Sequence, residues 1–328
     1  MGKDPVIDAH CDTAGLMARE NTEYNFTSRN RNGHIDLPRL RESGVTLQFF
    51  ALYIEDEHKP VGSLRRCLQL LEYYYRTMES CHDSIFTIYN KADLDYFIKS
   101  DKLAALLSIE GGEALENSIE VLHILFRLGI RALGLTWNQQ NQLATGVGKG
   151  SSGEGLTSFG RTVVREMNTL GMIVDLAHIN EKGFHEAIAT SSEPVIVSHA
   201  NARSLCDHPR NLTDDQLKEL ARCSGVIGLS FYPAFISTSE ATMENLLDHF
   251  VHIAELIGTD HLGFGSDFDG INKVVPGLED VTGLPRLIEG LQKRGFSREE
   301  IKKISGINFL RILKKVLPPR KKENCSTR

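Results

Sequence analysis

The sequence predicts an α/β protein in which eight parallel strands close into a (β/α)8 barrel, the TIM-barrel architecture. Short apolar runs of strand character alternate with amphipathic helical stretches along the whole chain, which is typical of repeated βα units. Eight such runs can be counted, and eight strands favour a closed barrel over an open sheet. The 328 residues, of which 41% are hydrophobic, are enough to bury one large core.

The predicted elements follow one another in a regular order. Strands are expected near residues 6–9, 46–52, 103–109, 131–136, 172–177, 195–198, 225–231 and 262–266. Helices are expected over residues 63–80, 118–128, 158–170, 181–190, 213–222, 242–257, 285–294 and 297–317. Most of these helices begin after a residue suited to capping, and the last contains a capping box formed by Ser297 and Glu300.

We expect one barrel domain over residues 1–318 and a flexible basic tail over residues 319–328, because no linker divides the chain. The single Gly/Ser-rich tract, residues 146–155, follows the fourth strand and is predicted to form a long loop over the mouth of the barrel. It is equally consistent with a lid and with a solvated connection. Neither GxxxxGK[ST] nor GxGxxG after a strand is present, so the sequence gives little support to nucleotide binding.

Composition limits the partners and the location. The net charge of −6 argues against a nucleic-acid partner, which normally requires a basic face. The sequence contains no uninterrupted run of eighteen apolar residues, which a membrane-spanning helix would require. The six cysteines form no CxxC pair, and residues 1–5 lead into a strand without a charged and then apolar leader. We therefore expect reduced thiols and a cytoplasmic protein.

Acidic and histidine residues follow several of the predicted strands. His10 and Asp12 lie two apart after the first strand, so they project to the same side of an extended segment and can bind one ion. Glu110 follows a fully apolar strand, where a carboxylate is costly to desolvate unless a cation or a donor meets it. Taken alone, the His10 and Asp12 pair is also consistent with a core histidine beside a capping aspartate.

Two histidines close neighbouring strands further along the chain. His178 and His199 each follow an apolar run, and imidazole is a common zinc ligand. Either histidine alone is equally consistent with a hydrogen-bonded core residue. Because the carboxyl ends of barrel strands meet at one mouth, the two imidazoles, Glu110 and the His10 and Asp12 pair supply enough ligands for two ions about 3.5–4 Å apart. The pattern predicts a binuclear hydrolase site.

Other polar residues fit the same mouth. Asp267 ends the eighth strand, where it can accept a proton from a metal-bound water and return it to a leaving amine. Asp269 is then the turn residue. Arg210 lies in a loop after the sixth strand, and its planar guanidinium suits a substrate carboxylate. Asp8 and Asp175 are placed either to orient neighbouring ligands or to act as caps.

These residues resemble the membrane dipeptidase (renal dipeptidase) family of zinc-dependent dipeptidases. The resemblance extends from about residue 6 to the final helix and is carried by six ordered motifs. They are DAHCDT at 8–13, SIEG at 108–111, DLAH at 175–178, PVIVSH at 194–199, PRN at 209–211 and GFGSDFDG at 263–270. The resemblance points to a bacterial-type, cytoplasmic member.

The resemblance implies a role for each matching residue. In a (β/α)8 barrel, His10 and Asp12 hold one zinc ion, His178 and His199 hold the other, and Glu110 bridges both. The resemblance also implies that Arg210 binds the carboxyl terminus of the substrate. Tyr232 then lines the substrate pocket, and Asp267 transfers the proton. The implied reaction is hydrolysis of dipeptides, including those with a C-terminal D-residue, by a hydroxide that bridges the metals. Family members usually form homodimers.

One position departs from the animal members, which have a histidine after the fourth strand. This chain has Trp137 in the sequence LTWN at 135–138. An indole cannot accept a proton, but its N–H can donate one hydrogen bond to the substrate or to the tetrahedral intermediate. Trp137 is therefore a candidate substrate-binding residue, and the substitution leaves the substrate range open.

Two alternatives remain from the sequence. The first is another binuclear amidohydrolase that acts on a cyclic amide, a lactone or a phosphoester. Its usual signature is HxH on the first strand, whereas this chain has HxD, and no lysine stands at the position of Glu110. The second is a non-catalytic barrel that binds a metal or a peptide, and the presence of Asp267 beside the ligands argues against it.

Overall fold

Parallel strands form the centre of the computed structural model, which describes residues 4–19, 23–149 and 153–320. The described residues contain nine strands, all paired in parallel. They are β1 (Ile7–Asp8), β2 (Leu47–Tyr53), β3 (Ile85–Thr87), β4 (Leu103–Glu110), β5 (Ile130–Gly134), β6 (Ile173–Asp175), β7 (Ile196–Ala200), β8 (Val226–Leu229) and β9 (Leu262–Phe264).

Eight of these strands close into a ring, as the sequence predicts. The order around the ring is β1, β2, β4, β5, β6, β7, β8 and β9. β2 pairs with β4 along its whole length, from Leu47 opposite Ala104 to Tyr53 opposite Glu110. β1 completes the ring by pairing with β9, where Asp8 lies opposite Phe264. The predicted (β/α)8 barrel is therefore confirmed.

The ninth strand, β3, was not predicted. It pairs only with the first half of β4, at residues 103–105. The second half of β4, residues 107–110, pairs with β5. Because β2 occupies the other edge of β4 throughout, β3 and β5 share one edge. With only three residues, β3 is too short to give a periodic signal in the sequence.

Thirteen α-helices lie in the described residues. They are α1 (Thr13–Met17), α2 (Leu37–Ser43), α3 (Ser63–Ser80), α4 (Lys91–Lys99), α5 (Ile119–Arg127), α6 (Ser158–Leu170), α7 (Glu181–Thr190), α8 (Asp214–Arg222), α9 (Pro233–Ile236), α10 (Met243–Ile257), α11 (Leu284–Lys293), α12 (Arg298–Lys302) and α13 (Asn308–Val316). The predicted helices coincide with α3, α5–α8, α10 and α11 to within a residue or two. The sequence missed α1, α2, α4 and α9.

The last predicted helix is interrupted. Its capping box is present, since Ser297 and Glu300 exchange side-chain to backbone hydrogen bonds at the start of α12. Residues 303–307 then form a π-helical turn before α13 begins. Within this turn Gly306 passes so close to the first strand that a Cβ atom there would lie 2.3 Å from the carbonyl oxygen of Pro5. The irregular turn therefore lies where the chain contacts the amino end of β1.

Side chains of β4 alternate between two apolar clusters. Leu107 and Ile109 pack with residues of the surrounding helices. Ala104 and Leu106 pack with residues from β1, β2 and β5–β8, which only side chains inside a barrel can do. The same alternation places Glu110 on the interior face, at the carboxyl end of the strand. Residues of α4 and α13 join the interior cluster and close the opposite end.

The structure also bears on the sequence expectations for membrane spans, cysteines, the basic tail and the Gly/Ser tract. No helix in the described ranges is both long and apolar enough to cross a bilayer. The five cysteines in those ranges are all free thiols. The predicted basic tail falls mostly at residues 321–328, outside the described residues. Of the Gly/Ser tract, residues 146–149 lie against the mouth of the barrel, where the Gly148 N–H donates to the carbonyl oxygen of Asn138. Residues 150–152 are outside the described residues.

Candidate metal centre

The five predicted ligands converge at the carboxyl ends of four strands. His10 and Asp12 follow β1, Glu110 ends β4, His178 follows β6, and His199 lies in β7. The side chains of His10, Glu110, His178 and His199 are less than a tenth exposed. Residues that are far apart in sequence thus meet at one mouth of the barrel, as predicted.

Glu110 lies between two pairs of ligands. Its Oε1 is 2.8 Å from His178 Nε2 and 3.5 Å from His199 Nε2. Its Oε2 is 3.8 Å from His10 Nε2, which in turn lies 3.3 Å from Asp12 Oδ2. Each carboxylate oxygen therefore faces a different pair, the arrangement that a bridging ligand requires.

The donor atoms fit cations better than they fit one another. Nε2 of His178 and Nε2 of His199 lie 2.9 Å apart, so two nitrogen lone pairs or a lone pair and a proton must face each other. Within the described ranges, His10 Nε2 and Asp12 Oδ1 are buried without a hydrogen-bond partner. Buried polar atoms without partners are rare because they cost free energy. A metal ion would satisfy these atoms. In the described ranges, three groups of candidate ligands have all their donor atoms within 4.8 Å of one another: His10, Asp12 and Glu110; Glu110, His178 and His199; and His10, His199 and Asp267.

Hydrogen bonds hold the two imidazoles with Nε2 toward the centre. Nδ1 of His178 lies 2.8 Å from Asn138 Oδ1, and Nδ1 of His199 lies 2.9 Å from Ser198 Oγ. A partner at the second ring nitrogen fixes the orientation of a metal-binding histidine. Sequence reasoning missed both partners, since a single asparagine or serine beside a ligand carries no distinguishing signal.

Asp8 and Asp175 hold backbone rather than ligand side chains. Asp8 accepts hydrogen bonds from the Ser266 N–H at 2.8 Å and from Gln48 Nε2 at 2.9 Å. Asp175 accepts from the N–H groups of Ala177 and Ser198 at 3.0 and 2.9 Å. These bonds join the ends of neighbouring strands, so the two aspartates position the segments that carry the ligands.

Burial and mutual charge shift the ligands' pKa values. Burial lowers the pKa of His178 and of His199 well below the usual histidine value, which favours the neutral, metal-binding form. Burial, and then the charge of Asp12, raise the pKa of Glu110 well above its usual range. Burial lowers the pKa of His10, but the charge of Glu110 and the contact with Asp12 outweigh it and raise the value to about 10. A bound cation would relieve this crowding of carboxylates.

Asp267 lies beside the ligands in a strained backbone conformation. Its Oδ1 is 4.0 Å from His10 Nε2, and burial raises its pKa to about 7. Asp267, Asp269 and His178 all have left-handed φ angles, of 67°, 67° and 68°. Such angles cost about 1–3 kcal/mol each and cluster at functional sites.

Asp269 does more than form the predicted turn. Its Oδ2 accepts a hydrogen bond from the Thr13 hydroxyl at 2.6 Å, and its Oδ1 accepts one from the His34 N–H at 2.5 Å. His34 returns a bond, because its Nδ1 accepts the Asp269 N–H at 2.8 Å. The residue therefore ties the end of the last barrel strand to α1 and to the segment before α2.

A cavity of about 530 Å³ opens above the ligands. Its lining includes the predicted substrate-binding residues Arg210, Tyr232 and Trp137 together with Asp267. It also includes residues that the sequence did not single out, namely Tyr53, Asn138, His208, Ala234, Phe235, Gly270, Ile271 and Asn272. A larger, more open groove of about 1250 Å³ lies beside α3, and none of the clustered ligands lines it.

Arg210 is buried at the wall of the cavity. One Nη donates to the carbonyl oxygen of His199 at 3.0 Å, and the guanidinium lies 5.2 Å from the centre of the Phe235 ring. Its Nε has no hydrogen-bond partner within the described ranges. Burial lowers the pKa of Arg210 to about 10, so the group remains a cation at neutral pH. A buried cation with an unused donor suits an anionic ligand group.

Comparisons with known proteins agree with this geometry. The sequence model of the family described as membrane dipeptidase (peptidase family M19) matches residues 1–326. The dipeptidase tcpJ of Claviceps purpurea (strain 20.1) is 38% identical over 295 residues, which are 87% of this chain and 69% of that protein.

Two solved structures are similar over nearly the whole chain. One is a metallo peptidase from Rhodobacter sphaeroides liganded with a phosphinate mimic of the dipeptide L-Ala-D-Ala. It has a TM-score of 0.90 and 29% identity, and the match covers 95% of this chain and 99% of that one. The other is dipeptidase AC, a metallo peptidase of family M19. It has a TM-score of 0.90 and 30% identity, and the match covers 95% of this chain and 98% of that one.

Removal of divalent metal with a chelator should lower the melting temperature of this protein. A cation that binds only the folded state, and is present at a concentration 100 times its Kd, contributes about 2.7 kcal/mol to the free energy of unfolding. Calorimetric melting before chelation, after it and after metal is restored will measure the effect. His199→Ala should lose most of the metal-dependent shift, whereas His82→Ala, at a side chain that is 73% exposed, should keep it. An identical melting temperature with and without chelator would contradict the assignment.

Proposed function

Because the chain belongs to the membrane dipeptidase family, peptidase family M19, and is a metal-dependent hydrolase of the dipeptidase type, we propose that it cleaves dipeptides with two zinc ions bound per chain. The position of Glu110 is the observation that carries this proposal. Its two carboxylate oxygens face the His178 and His199 pair and the His10 pair separately. We further propose that residues 1–318 form one catalytic domain.

The ligand set suits zinc. His10 and Asp12 would hold one ion, His178 and His199 the other, and Glu110 would contact both. Imidazole and carboxylate groups are common ligands of catalytic zinc. When bound, two zinc ions would lower the pKa of water to about 7 and so supply a hydroxide for attack on the peptide carbonyl at neutral pH.

Arg210 is proposed to bind the C-terminal carboxylate of the dipeptide. Its guanidinium is held in the cavity wall by the carbonyl oxygen of His199 and by the Phe235 ring. Tyr232 lines the same cavity and precedes α9. A volume of about 530 Å³ lies within the range of small-ligand pockets. Arg210 thereby fixes the direction in which the substrate lies.

Asp267 is proposed to transfer the proton. Its Oδ1 lies 4.0 Å from His10 Nε2, where a carboxylate can take a proton from water and give it to a leaving group, and burial raises its pKa to about 7 in the absence of metal. Cations bound next to it would lower this pKa and favour the ionised form that accepts the proton of the attacking water. The proton would then pass from Asp267 to the leaving amine.

Trp137 is proposed to form part of the substrate pocket in place of the histidine of animal members. Its ring lies 5.9 Å from the ring of His178 and 5.1 Å from that of Tyr53. The indole N–H can donate to the substrate carbonyl oxygen but cannot accept a proton. Stabilisation of the oxyanion would therefore depend more on positive charge at the centre.

We propose that dipeptides with a C-terminal D-residue are among the substrates. The ligand of the similar Rhodobacter sphaeroides structure, a phosphinate mimic of L-Ala-D-Ala, supports this extension. A cytoplasmic location and a homodimer remain predictions from the sequence and its family resemblance. The alternative of another binuclear amidohydrolase is disfavoured by Asp12 in place of the second histidine of HxH.

Elemental analysis should find two zinc ions per chain in active protein. His10→Ala should retain about one ion, whereas Glu110→Gln should lose affinity for both, because Glu110 faces both ligand pairs. Loss of a residue that only supports a ligand commonly costs about 10–100-fold in metal affinity or activity, so loss of a ligand should cost at least as much. A protein that is fully active with one ion, or with none, would contradict the binuclear proposal.

Asp267→Asn should reduce kcat by about 10²–10⁴-fold, since general acid and base catalysis contributes about that much. Its zinc content should stay near that of the wild type, because the amide removes the titrating group and leaves the ligands in place. Turnover of L,L and L,D dipeptides, measured beside the metal content, tests both statements. Asp95→Asn on the exposed face of α4 is the matched control. Wild-type turnover in Asp267→Asn would remove this residue from the mechanism.

Arg210→Met should chiefly raise KM, by about 10–100-fold, because hydrogen bonds to charged groups contribute about 1.5–3 kcal/mol. Steady-state kinetics with one dipeptide and with the same dipeptide amidated at its carboxyl terminus will separate charge recognition from packing. The amide should bind weakly to the wild type and be almost unaffected by the substitution. Arg127→Met, at an exposed position of α5, controls for loss of a surface charge. An unchanged KM would place carboxylate recognition elsewhere.

A further inference from the structure

A lysine outside the candidate metal centre lies against two aromatic rings of the cavity wall. The Nζ of Lys59 is 4.7 Å from the centre of the Tyr53 ring and 4.9 Å from that of the Trp137 ring. The two rings are themselves 5.1 Å apart. The Lys59 side chain is only 10% exposed, so most of it is packed against the protein, with the ammonium group within cation–π distance of both rings.

Polar contacts hold this lysine in place. The Nζ of Lys59 lies 3.2 Å from Asp56 Oδ1, and Gln139 Nε2 donates to Asp56 Oδ2 at 3.0 Å. Asp56 and Lys59 lie in the loop after β2, whereas Gln139 follows Trp137 in the loop after β5. Lys59, Asp56 and Gln139, here named the lysine clamp, thus connect the loops that follow β2 and β5. One ring, Tyr53, ends β2, and the other, Trp137, lies in the loop after β5.

The clamp lies across the barrel from Arg210. In the closed ring of eight strands, β2 and β7 are four strands apart and therefore opposite. Tyr53 ends β2, and Arg210 follows β7. Both residues line the same cavity. Trp137 follows β5, which lies midway between β2 and β7 in the ring, and its ring is 5.1 Å from that of Tyr53. A dipeptide that extends across the cavity with its carboxylate on Arg210 would bring its N-terminal residue toward Tyr53 and the neighbouring Trp137.

We propose that Lys59 is a positioning residue that fixes the rings of Trp137 and Tyr53 and thereby favours dipeptides with an apolar N-terminal side chain. The inference rests on the proposed function and on the carboxylate contact of Arg210. An apolar side chain gains by packing on two fixed rings, whereas a glycine has no side chain to pack. If the rings were free to turn, part of this gain in binding free energy would be lost, because binding of the substrate would have to order them.

The sequence offers a direct probe, because Trp137 is the only tryptophan of the chain. Lys59→Met keeps the length of the side chain but removes the charge, and Lys59→Arg keeps a cation over the rings. Lys102→Met, whose Nζ donates to the carbonyl oxygen of His82, is the matched control away from the cavity. The full-length, zinc-loaded proteins are compared by tryptophan emission, by acrylamide quenching and by kinetics with Leu-Ala and Gly-Ala.

Lys59→Met should shift the emission maximum and increase quenching, while Lys59→Arg and Lys102→Met should resemble the wild type. The KM for Leu-Ala should rise about fivefold more than that for Gly-Ala, as expected for loss of a partly desolvated cation–π contact, with little change in kcat. Unchanged emission and quenching would overturn the positioning role. A shifted emission with equal effects on both substrates would overturn the role in selectivity.

Failure of the proposed function has a different signature. The wild type would then cleave neither dipeptide, although Lys59→Met would still change the emission of Trp137. If only the role of Lys59 is wrong, the wild type will cleave both dipeptides. Lys59→Met will then match Lys102→Met in tryptophan emission or in selectivity between the two dipeptides.

Discussion

The burial of Glu110 at the mouth of the barrel is the constraint on which the candidate site depends. A carboxylate at the end of a fully buried strand cannot remain charged without compensation, and the charge of Asp12 adds to the cost. Two neutral imidazoles face one of its oxygens and a third lies near the other, so the Glu110 side chain is the centre about which the ligands are arranged. Divalent cations held by these ligands would supply further positive charge beside Glu110. The identity of the protein as a family M19 dipeptidase agrees with this electrostatic argument.

Closure of the barrel makes this arrangement possible, and a small set of polar contacts makes it rigid. Asp8 and Asp175 fasten the ends of neighbouring strands through backbone N–H groups. Asn138 and Ser198 hold the two imidazoles at their second nitrogens. These contacts allow the left-handed backbone at His178 and at the residues after the last barrel strand to persist. These contacts are of the kind that hold a ligand set in one geometry.

Sequence reasoning went furthest where the signal is local. Eight apolar runs and the helices between them were predicted because periodicity depends only on neighbouring residues. β3 and α9 were missed because three or four residues are too few for a period. α1, which begins directly after Asp12, has only five residues and was missed for the same reason. The helical stretch predicted over 297–317 is present, and only its π-helical turn at 303–307 was not predicted, because the close approach of Gly306 to Pro5 is a tertiary contact.

The sequence by itself determined the barrel, the five candidate ligands and the family resemblance, since these depend on which residue types end which strands. The tertiary structure alone decided that each oxygen of Glu110 faces a different ligand pair, that Asn138 orients the imidazole of His178, and that Lys59 lies against the rings of both Tyr53 and Trp137. Most of these contacts join residues tens of positions apart. Their distances are set by how the strands register and how the loops fold over the mouth, and no local pattern along a chain encodes either.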